Sequence, residues 1–227
     1  MTVVTARPTP VVLVEHSVTA FPVHRIYCVG MNYADHVREM GGQPVANPPV
    51  FFSKPADAVR ADGEDFPYPP RSENVHHEVE LVVALASGGR DIPKARALEA
   101  VYGYAVGIDW TRRDLQWAAK QAGQPWDVAK GFDHSAGIGR IHRVRDVGHP
   151  RAGAITLSVN GVRRQASDLA SMIWGVADII AELSTYYTLE AGDLIYTGTP
   201  EGVGAVVRGD VVEAAIEGLG RLTQRVV

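Results

Sequence analysis

A single cysteine, Cys28, among 227 residues excludes an internal disulfide and suits a reducing cytoplasm. It lies in the strand-like run Arg25-Ile-Tyr-Cys-Val29 with no base beside it, so it reads as a small core residue and not as a nucleophile. The longest apolar runs fall far short of a membrane span, which leaves no membrane partner to expect. The first residues lack a basic segment followed by a long apolar stretch, so no secretory signal is expected. There is also no basic block and no interleaving of basic with aromatic residues, and the net charge is -4. A nucleic-acid surface is therefore not expected either. What remains is the composition of a soluble protein with a proper core.

Residues 1–21 read as a short leader with one strand candidate, Val11-Val-Leu-Val14. Residues 22–227 read as one domain, since no linker divides them. Strand signals dominate that domain. Val50-Phe-Phe-Ser53 predicts a short buried strand, and Ile155–Val159, Asn160-Gly161 and Val162–Gln165 predict a hairpin on a type I′ turn. Runs at 192–197 and 210–216 add two strands. An apolar stripe of Leu169, Met172, Ile173, Val176, Ile180 and Leu183 predicts a helix over 168–187, and further helices are expected over 111–121 and 93–101. The fold class is mixed α/β, mostly β.

The chemistry-bearing residues start with Glu78 and Glu80, two apart in a strand-like run that ends at Leu85. A strand places both carboxylates on one face, and Val82 and Ala84 continue that face toward a core. Like charges share such a face only when something positive compensates them. Asp109, which ends the run Tyr104–Asp109, supplies a third oxygen ligand, and three carboxylates favour Mg²⁺ or Mn²⁺ over zinc. A solvated strand face is the plainer alternative. His36 and Glu39 share one face of a short helix that Asn32 would cap and Gly41-Gly42 would stop. Such a pair is either a general base with a fixed tautomer or an exposed ion pair. The glycines would let the segment move as a lid. Lys54 and Lys130 either neutralise a substrate anion or only solvate the surface. Arg113 and Gln116 follow Asp109 closely enough to hold a substrate beside a metal. The turn Thr197-Gly-Thr-Pro-Glu-Gly-Val-Gly204 offers backbone N–H groups and the Thr199 hydroxyl to a carboxylate, or is an ordinary tight turn.

Taken in order, these segments resemble the fumarylacetoacetate hydrolase family. The matching residues are Gly30–Glu39, Phe52-Ser-Lys-Pro55, His76–Leu81, Gly107–Gln116, Ala129-Lys-Gly-Phe-Asp133, Val159-Asn-Gly161 and Thr197–Gly204. The resemblance spans about 23–222. Gln124–His134 and Ser171-Met-Ile-Trp174 look like the acylpyruvate hydrolases within it, particularly fumarylpyruvate hydrolases. The resemblance implies a rolled β-sheet with a few packed helices, a homodimer, and Mg²⁺ or Mn²⁺ held by Glu78, Glu80 and Asp109. It implies a water-activating dyad of His36 and Glu39 on a lid, with Lys130 stabilising the enolate product. Arg113, Gln116, Lys130 and Thr199 would bind a small oxo-acid, with Lys54 beside them. One departure is Met31, where several relatives have arginine; if that arginine helps hold a distal carboxylate, a dicarboxylic acyl group is the weaker expectation here.

The activity so implied is hydrolysis of the C–C bond of a 3-acylpyruvate, with fumarylpyruvate preferred. Oxaloacetate decarboxylation, or the isomerase and hydratase steps of aromatic degradation, are the alternatives on the same site. A metal or oxo-acid binding protein without turnover is the alternative from another class.

Overall fold

The computed structural model of the chain describes residues 8–43 and 48–227. The first seven residues of the leader lie outside the described residues. The rest of it carries a small antiparallel ribbon, Val11–Leu13 with Ala20–Pro22, whose Val12, Val14 and Phe21 are buried against the domain.

Among the described residues the main sheet has eight strands. Its order is Val50–Lys54, Ile26–Gly30, Leu194–Tyr196, Val79–Leu85, Val101–Asp109, Ala136–Ile138 and Val59–Ala61, with His142–Arg143 also paired to the long strand Val101–Asp109. Strand Val79–Leu85 shows how the sequence builds it. Val79, Leu81, Val83 and Leu85 point to one core, while Val82 and Ala84 point to a second core on the opposite face. Both faces are covered, so the run is apolar throughout except at its start. A four-stranded antiparallel sheet packs over the first core, in the order Val162–Asp168, Ala154–Val159, Val211–Ile216 and Gly220–Arg225. A three-stranded sheet of Gly204–Val206, Val75–His77 and Thr111–Arg112 stands beside the site. The whole is a curled, mostly β half-barrel with few helices.

Among the described residues there are five α-helices: α1 (Ala34–Glu39), α2 (Arg113–Ala122), α3 (Asp127–Lys130), α4 (Val144–Val147) and α5 (Val176–Tyr186). The hairpin turn is as expected, with φ of 52° at Asn160 and 75° at Gly161. Several boundaries differ from the sequence reading. Helix α5 begins eight residues later than 168 because Asp168 is still in a strand, and its carboxylate accepts from the Ala170 and Gly153 amides. Thr111 and Arg112 pair with Val75–His76, so α2 starts only at Arg113. Lys94–Ala100 forms 3₁₀ turns between Pro93 and the strand beginning at Val101. Val50–Lys54 is a half-buried edge strand. Asn32 does not cap α1: its amide donates to the Trp174 and Thr197 carbonyls and accepts from the Trp174 N–H, tying three segments together. Cys28 is buried in the second core, and burial pushes its thiol well above the ordinary range.

Candidate active site

The carboxylate cluster follows from strand register. Strands Val79–Leu85 and Val101–Asp109 run antiparallel with Glu80 opposite Gly107, and the Asp109 N–H donates to the Glu78 carbonyl at 2.9 Å. Glu78 and Asp109 thus face each other, and Glu80 stands one pleat further along the same face. Gly107 leaves that face clear, since a Cβ there would lie 2.5 Å from Val82. All three carboxylates are buried, and their ligand atoms lie within 4.8 Å of one another.

Cations surround two of the three. The Arg113 guanidinium donates to Glu78 Oε1, and Lys130 Nζ donates to Glu78 Oε2 and Asp109 Oδ2, both at 2.7 Å, and to Thr111 Oγ1 at 2.6 Å. Burial alone would raise Glu78; Lys130 and Arg113 outweigh it and hold the carboxyl far below its usual range. Burial likewise opposes charge on Lys130, but Asp109 and Glu78 keep it above the ordinary lysine value, so it is a fixed ammonium and no base. Glu80 differs. Its Oε2 accepts from the Gly198 N–H at 2.7 Å, and burial followed by the charges of Asp109 and Glu78 pushes it well up.

A divalent cation fits this set. Every donor is oxygen, and among the described residues Glu80 has no cation in contact and Asp109 Oδ1 has no partner in hydrogen-bond geometry, although Lys54 Nζ stands 2.8 Å away. Glu78, Glu80 and Asp109 would hold Mg²⁺ or Mn²⁺.

A partly open cavity lies over the cluster. Glu78, Glu80, Arg113, Gln116, Lys130, Thr199 and His36 line it, together with Met31, Met40, Phe52, Trp126 and Lys120 among others. Gln116 Oε1 accepts from Arg113 at 2.5 Å. The Thr199 hydroxyl is committed: it donates to the Val79 carbonyl at 2.8 Å and accepts from Gln165 at 2.9 Å. Glu39 stands behind His36, its Oε2 3.0 Å from Nδ1, while its Oε1 accepts from the Gly202 N–H at 3.0 Å. Burial would raise Glu39, but the bonds from His36 and Gly202 hold it below its ordinary value. Helix α1 is thereby clasped to the glycine-rich turn. Lys54 sits behind the triad and not on the cavity wall; it faces Asp109 and donates to the Trp110 and Lys130 carbonyls.

Several supporting residues escaped the sequence reading. Gln165 accepts from Val79 N–H and His77, and donates to Thr199 and Pro200. His76, lowered to about 4 by burial and then by the Arg113 guanidinium, accepts from Arg113 Nε through Nδ1 at 3.3 Å. Thr111 escaped it too, although its place two beyond Asp109 could have pointed to it; Gln165 carries no local signal.

Hard oxygen donors opening on a small cavity, with an oriented imidazole on its wall, belong to a metal-dependent enzyme of small substrates. Residues 25–227 match the fumarylacetoacetate (FAA) hydrolase C-terminal family, and the chain belongs to that family. It is 45% identical over 173 residues to a fumarylpyruvate hydrolase of Ralstonia sp, covering 76% of this chain and 90% of the relative. It is 44% identical over 194 residues to a mitochondrial oxaloacetate tautomerase of Rattus norvegicus, covering 86% and 87%. Among solved structures, a fumarylpyruvate hydrolase from Pseudomonas aeruginosa in complex with Mn²⁺ and pyruvate superposes with a TM-score of 0.97 at 49% identity. That match covers 100% of this chain and 99% of the other.

Proposed function

We propose that the chain hydrolyses the C–C bond of a 3-acylpyruvate, with fumarylpyruvate the preferred substrate and fumarate and pyruvate the products. The observation that carries the reading is His36 on the wall of the same cavity as the carboxylate triad, with its Nδ1 held by Glu39. Donation of Nδ1–H to Glu39 leaves the Nε2 lone pair to take a proton from water. That water attacks the distal ketone, the bond between C3 and C4 breaks, and its electron pair leaves with the three-carbon fragment as pyruvate enolate. The proton on His36 is then available to return to C3. Lys130, whose N–H groups are spent on Glu78, Asp109 and Thr111, offsets the enolate by charge and not by a free donor. Arg113, braced by Gln116 and His76, orients the oxo-acid end. When bound, Mg²⁺ or Mn²⁺ supplies a Lewis acid and a template for the carboxylate and 2-oxo oxygens. The reading includes a soluble cytoplasmic homodimer, to be checked by light scattering.

Oxaloacetate tautomerisation is the second reading, favoured by the 44% identical relative of that activity. It needs proton transfer but no attacking water and no broken C–C bond. The deciding experiment is a panel of acylpyruvates and oxaloacetate with Mn²⁺, following enol absorbance and released pyruvate together. Pyruvate from an acylpyruvate is the expected result; enol loss from oxaloacetate alone, without pyruvate from any acylpyruvate, would replace the hydrolase reading. In His36→Ala, hydrolysis falls by about 10²–10⁴-fold if the base assignment holds. A near-normal rate would remove it.

A further inference from the structure

The cavity has four basic side chains on its wall, and three are engaged. His36 is bonded to Glu39, Arg113 to Glu78 and Gln116, and Lys130 to Glu78, Asp109 and Thr111. Lys120 is the fourth, and among the described residues it has neither an ion pair nor a side-chain hydrogen bond. It is exposed, yet it lines the cavity. Arg113, Gln116 and Lys120 stand three and seven positions apart, so they share one stripe of α2. At about 1.5 Å per residue, Lys120 lies roughly 10 Å along the helix axis from Arg113.

We propose that Lys120 binds the distal carboxylate of a dicarboxylic acylpyruvate. The proposal rests on the hydrolase reading and adds its acyl specificity. Helix α2 then acts as a ruler. Its first residue marks the oxo-acid end beside Glu78, and its last turn marks the far end of the acyl group. An extended seven-carbon dicarboxylic chain has six C–C bonds and spans about 7–8 Å, close to that helical separation once a flexible lysine reaches inward. Met31, Met40, Phe52 and Trp126 also line the cavity, which suits an uncharged middle. Met31 brings no charge to that wall, so Lys120 is the remaining cation for a second carboxylate. Placement in the last turn of α2 also favours a cation, but that effect needs no cavity-facing side chain.

The test is a substrate-selectivity ratio, kcat/KM for fumarylpyruvate over kcat/KM for 2,4-dioxopentanoate, which ends in a methyl group. Lys120→Gln lowers that ratio by about two- to fivefold, and Lys120→Arg restores most of it. A binding arm runs beside it with Mn²⁺-loaded protein and calorimetry. The affinity ratio of 2-oxoadipate over 2-oxohexanoate falls in Lys120→Gln by a similar factor. Unchanged ratios in Lys120→Gln overturn the proposal. If the wild type hydrolyses neither acylpyruvate, the hydrolase reading fails and the binding ratio alone decides Lys120: a fall upholds its contact with a distal carboxylate, and an unchanged ratio overturns it.

Discussion

Among the described residues, Glu80 is the carboxylate of the triad that no side-chain cation touches. Lys130 and Arg113 answer Glu78, and Lys54 and Lys130 answer Asp109, but Glu80 has only the Gly198 N–H. Its charge is therefore the one a metal would most stabilise, since burial and then the charges of Asp109 and Glu78 push its pKa up. Removing it should weaken Mn²⁺ binding more than it disturbs the fold. Calorimetric titration of Glu80→Ala with Mn²⁺ should show a loss on the order of 100-fold or more, since even supporting residues around a metal cost about 10–100-fold. Unchanged affinity and stoichiometry would show that the ligands lie elsewhere. Gly198 belongs to the same argument. Its φ is +97°, and a Cβ there would lie 2.7 Å from Asn32 Cβ and 3.1 Å from the Val29 carbonyl. Gly198→Ala should cost about 1–3 kcal/mol in denaturant unfolding and also lower Mn²⁺ affinity, because the N–H that holds Glu80 must shift. A stability loss with intact Mn²⁺ affinity would separate the turn from the metal site.

At the scale of elements, α1 is held at both ends by bonds to other segments. Asn32 ties its entry to Trp174 and Thr197, and Glu39 ties its exit to Gly202. After Glu39 the helix stops through Gly41, at φ +75°, whose N–H reaches the Arg38 carbonyl. The Glu39 bond carries a pH dependence of known sign. Its carboxyl is held below the ordinary value, so its contribution is full above the unfolded glutamate pKa of about 4.3 and is lost as pH falls through the lowered folded value. Amide exchange over 34–42, corrected for intrinsic rates, should accelerate on acidification through that window. In Glu39→Gln the acid-dependent part should vanish. Identical acid dependence in both proteins would mean that Glu39 does not set the clasp.

Across the whole molecule, the readable part of the site was the part written in local periodicity. Glu78 and Glu80 two apart, with Asp109 at a strand end, gave the ligand set because antiparallel register converts a spacing of two into a shared face. Lys54 stands against Asp109 and off the cavity wall because its position depends on sheet order: its strand lies at the edge, three strands from Val79–Leu85, and no spacing in the chain encodes that. Gln165 was unreadable for the same reason, since it meets His77 across 88 positions. Helix α5 was overextended because the apolar stripe continues through Leu169, which is buried without being α-helical. The carboxylate cluster also couples site to stability. It joins strands Val79–Leu85 and Val101–Asp109 with α2 and α3, so a cation bound only by the folded chain stabilises all four. At 100 times its dissociation constant, Mn²⁺ adds about 2.7 kcal/mol. For a chain of this length that corresponds to a Tm rise of roughly 5–11 °C. Calorimetric scans with Mn²⁺ and with EDTA should show that rise in the wild type. In Asp109→Asn the fold loses a partner of Lys54 and Lys130, so Tm falls in both conditions. The informative quantity is the difference between them, which should collapse toward zero. A full Mn²⁺-dependent rise in Asp109→Asn would place the stabilising cation away from the triad.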